Sequence, residues 1–321
     1  MKLKNWLEVW LNKYTKHTVK LRTYGRYEYI IEKHINPKLG DYELEELSPV
    51  LLQDFVLDKI EHGNLKTNGQ LANNSVIGIV NVLKSALGLA KSLEMIERDY
   101  TDKIKLPLAT EKEVTAFDKL EQDKLVKFCL EAKKKNYIGI VICLYTGIRL
   151  GELLALTWND IDLNSGIMNI TKTAYRIKEN GTPRIVVDKP KTKNSSRIIP
   201  LPKQLIEILK QVKKKSNSLY VLSTRNGGMV GTREYQKTYQ RILAKLDIPY
   251  KNFHSLRHTF ATRAVEMGMD VKTLSEILGH KNPMITLQRY THSLISYKTE
   301  MMNKMGKMLV IKTLNQNYQK Q

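Results

Sequence analysis

At 321 residues the chain exceeds what one hydrophobic core usually serves, so two domains are expected; an apolar fraction of 42% is enough to bury real cores. Lys and Arg number 53 against 32 Asp and Glu, a formal charge of +21 that favours a polyanionic partner, nucleic acid first. The two cysteines, Cys129 and Cys143, sit in apolar helical stretches, which argues against a disulfide framework or a zinc knuckle. The N-terminus lacks a signal-peptide apolar core and no stretch approaches the ~20 apolar residues of a membrane span, so a cytoplasmic location and no membrane partner are expected.

The charge is uneven. Residues 1–110 carry 16 Lys and Arg against 14 Asp and Glu, and the remaining 37 against 18 fall in residues 111–321. Apolar spacing of three and four predicts helices over most of the first hundred residues. Trp6, Leu7, Val9, Trp10 and Leu11 mark the first, and Tyr24, Tyr27, Ile30, Ile31 and Ile35 mark a second that stops at Pro37 and Gly40. Ser48 followed by Pro49 predicts an N-cap and a helix through Leu51, Leu52, Phe55 and Val56 to Gly63. Asn74 is the expected cap of a long helix reaching about Ile96, and residues 106–115 read as a linker.

Beyond the linker, Asp118 opens a helix, and residues 137–145 form an apolar helix leading into TGIRLGELLALTWNDID. Ile167 to Ile177, a turn at Glu179-Asn180-Gly181, Arg184 to Val187 and the segment RIIPL predict three strands of one small antiparallel sheet. Helices are expected next at 203–214, 232–246, 254–267, 271–278 and 283–292. A last apolar stretch, 295–311, precedes a polar tail over 311–321. The fold class is mainly α with a small antiparallel β-sheet.

Cleaving a phosphodiester requires cations for the non-bridging oxygens, a proton donor for the leaving oxygen and a nucleophile. In HSLRHTFATR, His254 and Arg257 lie three apart and share one helix face. His254 and His258 are four apart, but Ser255 stands where a zinc protease motif needs Glu, so metal is not expected. His280 follows Gly279, a helix stop, and Tyr290 comes ten residues later. Arg149 lies between a very apolar helix and LGELLAL with Glu152 three residues on, and a surface ion pair explains that spacing as well as function does.

Taken together, TGIRLGELLALTW, HSLRHTFAT and LGH followed by RYTH resemble the tyrosine recombinase, or phage integrase, family in order and spacing. The resemblance is strong over residues 113–300 and softer over 1–105, which are similar to the family's helical core-binding domain. It implies an α+β catalytic domain over 116–310 and a site of Arg149, His254, Arg257, His280 and the nucleophile Tyr290, with Glu152 in support. The general acid implied is a lysine of KPKTKNSSRIIPL; Lys191 fits best, with Lys193 and Lys189 as rivals. The implied chemistry is cleavage and rejoining of DNA strands through a 3′-phosphotyrosyl ester, with neither ATP nor a metal and no cofactor. The implied partners are double-stranded DNA with inverted core repeats, a homo-tetramer on paired sites, and an accessory DNA-bending or excisionase protein. The stretch with Leu294, Ile295, Met301, Met302, Met305 and Met308 reads equally as a segment docking on a neighbouring protomer and as an ordinary core helix. Ser255 departs from the Asp frequent in the family, and no separate arm-binding domain is expected. A DNA-binding protein without strand transfer, a type IB topoisomerase, a metal-dependent nuclease and a chromosome-dimer resolvase are the alternatives.

Overall fold

The computed structural model describes residues 1–110, 115–132, 134–179, 182–188, 196–280, 284 and 294–308. The chain divides into two compact units, residues 1–113 with 177–184, and residues 114–176 with 185–321.

The first unit is helical. Helix α1 (Leu3–Val9) continues through a wider turn over Trp10–Thr15, where the Lys16 N–H donates to the Leu11 carbonyl at 3.0 Å. Helix α2 (Leu21–Ile30) does the same over Ile31–Ile35 and runs on as α3 (Asn36–Leu39) to Gly40. Pro37 therefore does not stop the chain; it stands at the start of a helical segment, where a missing N–H costs little. Helix α4 (Pro49–His62) begins with Ser48 Oγ accepting the Leu51 N–H at 3.3 Å and gives way at Gly63.

Helix α5 (Asn73–Ser92) differs from expectation at both ends. Ala72 is its N-cap, because Asn73 and Asn74 turn their amides to an extended segment: Asn73 Nδ2 donates to the Leu108 carbonyl at 2.9 Å and Asn74 Nδ2 to the Thr110 carbonyl at 2.8 Å. Those bonds satisfy backbone groups that otherwise have no ladder. The helix stops before Ile96 because Glu94 takes a left-handed φ of 57°, with the Glu94 and Met95 N–H groups closing back on Lys91 and Ala90. By length and composition α5 could cross a membrane. Its Val76, Ile79, Val80, Leu83 and Leu87 are instead core residues of this unit, and Trp6 Nε1 donates to the Ala86 carbonyl at 2.9 Å.

In the second unit α6 (Lys119–Glu131) opens with a reciprocal cap: Asp118 accepts the Glu121 N–H at 2.7 Å and Glu121 accepts the Asp118 N–H at 2.9 Å. Helix α7 (Ile138–Thr146) lies in the core, α8 (Leu150–Ala155) comes next, and Cys129 and Cys143 are both buried free thiols. Burial pushes Cys129 up to about 12 and raises Cys143 as well, so both stay protonated hydrophobes.

The single expected sheet is two sheets. Strands β1 (Ile161–Asp162), β2 (Ile167–Ile170) and β5 (Arg197–Pro200) form one, and β3 (Thr173–Glu179) with β4 (Thr182–Asp188) forms a hairpin. The break falls at Lys172, whose ammonium pairs with Asp160 at 2.9 Å. β5 joins β2 rather than the hairpin because Met168, Ile170 and Ile199 make one buried face, whereas Ile185 and Val187 of β4 are exposed. Helices α9 (Lys203–Lys214), α10 (Thr232–Lys245), α11 (His254–Glu266), α12 (Val271–Leu278) and α13 (Leu294–Met308) complete the described chain. The expected turn at Asn180-Gly181 and helix 283–292, apart from Met284, lie outside the described residues.

Helix α7 can end where it does only at a glycine. Gly147 closes it at φ 64°, and a Cβ there would stand 2.5 Å from Phe260 and 2.8 Å from Leu278. Gly147→Ala is expected to lower stability by more than about 1 kcal/mol, because the left-handed backbone and the clash act together. A thermal unfolding midpoint equal to wild type would contradict this.

Candidate active site

Five chain segments meet in the second unit: the end of α7, the start of α8, the start of β5, the start of α11 and the end of α12. Helix α12 terminates in a left-handed Gly279, with the Gly279 N–H on the Glu276 carbonyl and the His280 N–H on the Ser275 carbonyl, both at 3.0 Å. That turn places His280 immediately past the helix end, partly exposed.

The last carbonyls of a helix have no partner inside it and carry its negative pole. Here arginines supply the donors. Arg197 Nε donates to the Ile277 carbonyl at 2.6 Å, Arg257 Nη2 to the Leu278 carbonyl at 2.7 Å, and Arg149 Nη2 to the Gly279 carbonyl at 3.1 Å. Arg257 also donates Nη1 to the Gly147 carbonyl at 2.8 Å, tying the end of α7 to the end of α12.

Glu152 organises two of these cations. It stands at the third position of α8, and its carboxylate accepts the Arg149 backbone N–H at 2.9 Å, Arg149 Nη1 at 2.9 Å, and a two-pronged contact from Arg197 at 3.0 and 2.8 Å. Burial alone would raise this carboxyl, but the Arg197 hydrogen bonds and the charges of Arg197 and Arg149 outweigh it and hold it at about 2.

Exposure separates the three arginines. The side chains of Arg197 and Glu152 are each 6% exposed and Arg257 is 2% exposed, while 38% of the Arg149 side chain faces solvent. Arg149 is thus the open donor of a cationic cluster and the other two are set beneath it. His254, the first residue of α11, is exposed, with its ring edge-on to the buried His258 at 4.8 Å between centroids.

The expected site residues Arg149, Glu152, Arg257 and His280 are therefore brought together, with His254 one turn before Arg257 on α11. Lys189, Lys191, Lys193 and Tyr290 lie outside the described residues. Among the described residues no three His, Cys, Asp or Glu side chains gather as a metal would need. Arg197 is the member that sequence reasoning missed. A signal existed: Ile199 faces the core, so period two puts Arg197 on the same buried face, where a charge needs a carboxylate partner.

A second cationic feature lies at the other end of α7, about 13 Å of helix away. A cleft of about 1010 Å³ is lined by Lys134, Lys135, Lys215, Arg225 and Arg241 with no carboxylate among its lining residues. Its wall is fixed by Asn136, which exchanges hydrogen bonds with the Ser223 backbone at 2.9 and 3.1 Å.

The phage integrase family model matches residues 115–296, and the N-terminal SAM-like domain model of phage integrases matches residues 2–60. The chain belongs to the phage integrase family. This is a family of tyrosine recombinases, enzymes that cleave and rejoin DNA. The chain is 29% identical over 316 residues to a XerC-like tyrosine recombinase of Caldanaerobacter subterraneus subsp. tengcongensis, covering 91% of this chain and 80% of the relative. It is 26% identical to the Tn916 transposase of Enterococcus faecalis, covering 87% and 72%. In fold it is similar to the Tn1549 transposon integrase solved with a circular intermediate DNA, with a TM-score of 0.79, 22% identity, and 95% and 99% of the two chains covered. The helical fold with small antiparallel sheets is that of the integrases.

Glu152→Gln leaves Arg197 buried without its full counter-charge and is expected to cost about 3 kcal/mol at neutral pH. Because the folded carboxyl is held at about 2 against an ordinary 4.5, its stabilisation is complete above 4.5 and is lost as pH falls toward 2. The stability gap between wild type and Glu152→Gln, followed by urea unfolding, should therefore close over that window. A gap independent of pH would contradict the assignment.

Proposed function

We propose that this integrase-type recombinase cuts DNA with Tyr290 and integrates or excises a mobile element. The observation that carries the reading is the cationic cluster at the end of α12, in which a solvent-facing Arg149 is oriented by a buried Glu152. A phosphodiester gathers negative charge on its non-bridging oxygens as it is attacked, and preset guanidinium donors stabilise that charge without reorganising.

In the proposed step the Tyr290 oxygen gives its proton to His254 or His280 and bonds to phosphorus, the bond to the 5′-oxygen breaks, and the 3′-phosphotyrosyl ester keeps the bond energy for the reverse attack by a partner strand. Lys191 delivers the proton to the leaving 5′-oxygen, with Lys193 and Lys189 as the neighbouring donors. Arg149 holds the phosphate from the solvent side and Arg257 from beneath, while His254 and His280 position the phosphate and the tyrosine. The mobile-element role rests on the Tn916 transposase and on the ICEBs1 integrase of Bacillus subtilis, 26% identical over 298 residues. Chromosome-dimer resolution is the second reading, favoured by the XerC-like relative.

Residues 1–105 serve as the core-binding domain, 106–115 as linker, 116–310 as catalytic domain and 311–321 as tail. The enzyme works in the cytoplasm as a tetramer on paired sites with inverted core repeats, and an accessory DNA-bending or excisionase protein joins it. The λ integrase tetramer solved on a Holliday junction, with a TM-score of 0.66, supports the assembly by analogy. Met302 and Met305 on α13 are exposed, as a segment that docks on a neighbouring protomer requires. The cleft of Lys134, Lys135, Lys215, Arg225 and Arg241 contacts duplex backbone away from the cut.

A nicked suicide duplex carrying the cognate site should trap a covalent adduct that maps to Tyr290, with or without chelator. An adduct that persists in Tyr290→Phe would sink the assignment. Separately, Arg225→Ala and Arg241→Ala should each reduce the slope of log affinity against log salt by about 1 while weakening all duplexes alike. Unchanged slopes would remove the cleft from the DNA interface.

A further inference from the structure

We propose that Arg197 is a positioning residue for strand cleavage: through the carboxylate it shares with Arg149, it fixes how Arg149 meets the scissile phosphate. This rests on the reading of Arg149 as a phosphate donor. In this reading Arg197 acts through Glu152 and the Ile277 carbonyl, on which its Nε, Nη1 and Nη2 are engaged.

Glu152 Oε1 accepts from Arg149 Nη1 at 2.9 Å and from Arg197 Nη1 at 3.0 Å; Oε2 accepts from the Arg149 backbone at 2.9 Å and from Arg197 Nη2 at 2.8 Å. Each carboxylate oxygen thus binds both arginines. The terminal torsion of a Glu side chain is soft, so one cation alone would leave the carboxylate free to turn and carry Arg149 with it. A planar fork across both oxygens removes that freedom, and the Nε bond to the Ile277 carbonyl at 2.6 Å locks the fork to α12.

Arg197 also packs on the turn that presents His280. A Cβ added at Gly279 would lie 3.0 Å from Arg197 Cδ, so guanidinium, glycine turn and Arg149 occupy one continuous contact. Lysine at this position keeps the charge, but a single ammonium lacks the fork that spans two carboxylate oxygens while also reaching a carbonyl.

The test exploits the charge that Arg149 serves. A methylphosphonate at the scissile position replaces one non-bridging oxygen with methyl, so the attacked centre carries no negative charge; tyrosine attack still forms the oxygen–phosphorus bond and expels the 5′-hydroxyl. Adduct formation is timed for full-length wild type, Arg149→Ala and Arg197→Lys on nicked duplexes with either linkage. Arg197→Lys should slow cleavage about 100-fold on the phosphate. Its deficit should shrink to less than about tenfold on the methylphosphonate, in parallel with Arg149→Ala. If Arg149→Ala recovers and Arg197→Lys is equally slow on both linkages, Arg197 is only a structural residue and the proposal falls. If neither recovers, the phosphate-donor reading of Arg149 falls with it. Should Arg197→Lys fail to fold, Arg197→Gln, which leaves Glu152 paired with Arg149, takes its place with the same outcomes.

Discussion

The end of α12 is the constraint on which the site depends. A helix terminus presents carbonyls that need donors and a negative pole that attracts cations. In most proteins water or a single capping side chain answers that need; here Arg197, Arg257 and Arg149 take the Ile277, Leu278 and Gly279 carbonyls in turn. Three guanidiniums would repel one another in so small a space. The helix pole and the Glu152 carboxylate hold them together, and three guanidiniums against one carboxylate leave the cluster cationic.

This arrangement explains why distant parts of the second unit must be in register. Arg257 reaches the end of α7 only because Gly147 turns left-handed and exposes its carbonyl to α11. Arg197 reaches Glu152 only because β5 pairs with β2 so that Ile199 lies opposite Met168 and Arg197 opposite Ile170. A slip of one residue would turn Arg197 to the other face of the strand and leave Glu152 with one cation. The small sheet therefore sets the arginine cluster as well as the core.

Much of this is legible in the sequence where a local rule is strong. The Ser48 and Asp118 caps, the Gly279 stop and the buried face of α7 follow from side chains acting within one turn, and the three motif boxes carry the family. What escapes depends on contacts far along the chain. Asn74 has the chemistry of a cap but binds Thr110, 36 residues away, and the turn that closes α5 uses Glu94, a residue with no special preference for a left-handed backbone. The pattern does not separate the hairpin from β5, because β4 and β5 each carry consecutive apolar residues, Ile185-Val186-Val187 and Ile198-Ile199, and only burial tells them apart. Arg197 escapes because strand periodicity places the strand without asking what a buried charge on it would need.

The most direct test of the account is a structure of Tyr290→Phe bound to its cognate duplex. Non-bridging oxygens of the scissile phosphate should lie within hydrogen-bond reach of Arg149 and Arg257, with Arg197 still on Glu152 and the Ile277 carbonyl. A scissile phosphate held elsewhere, or bound directly by Arg197 with Glu152 released, would contradict it.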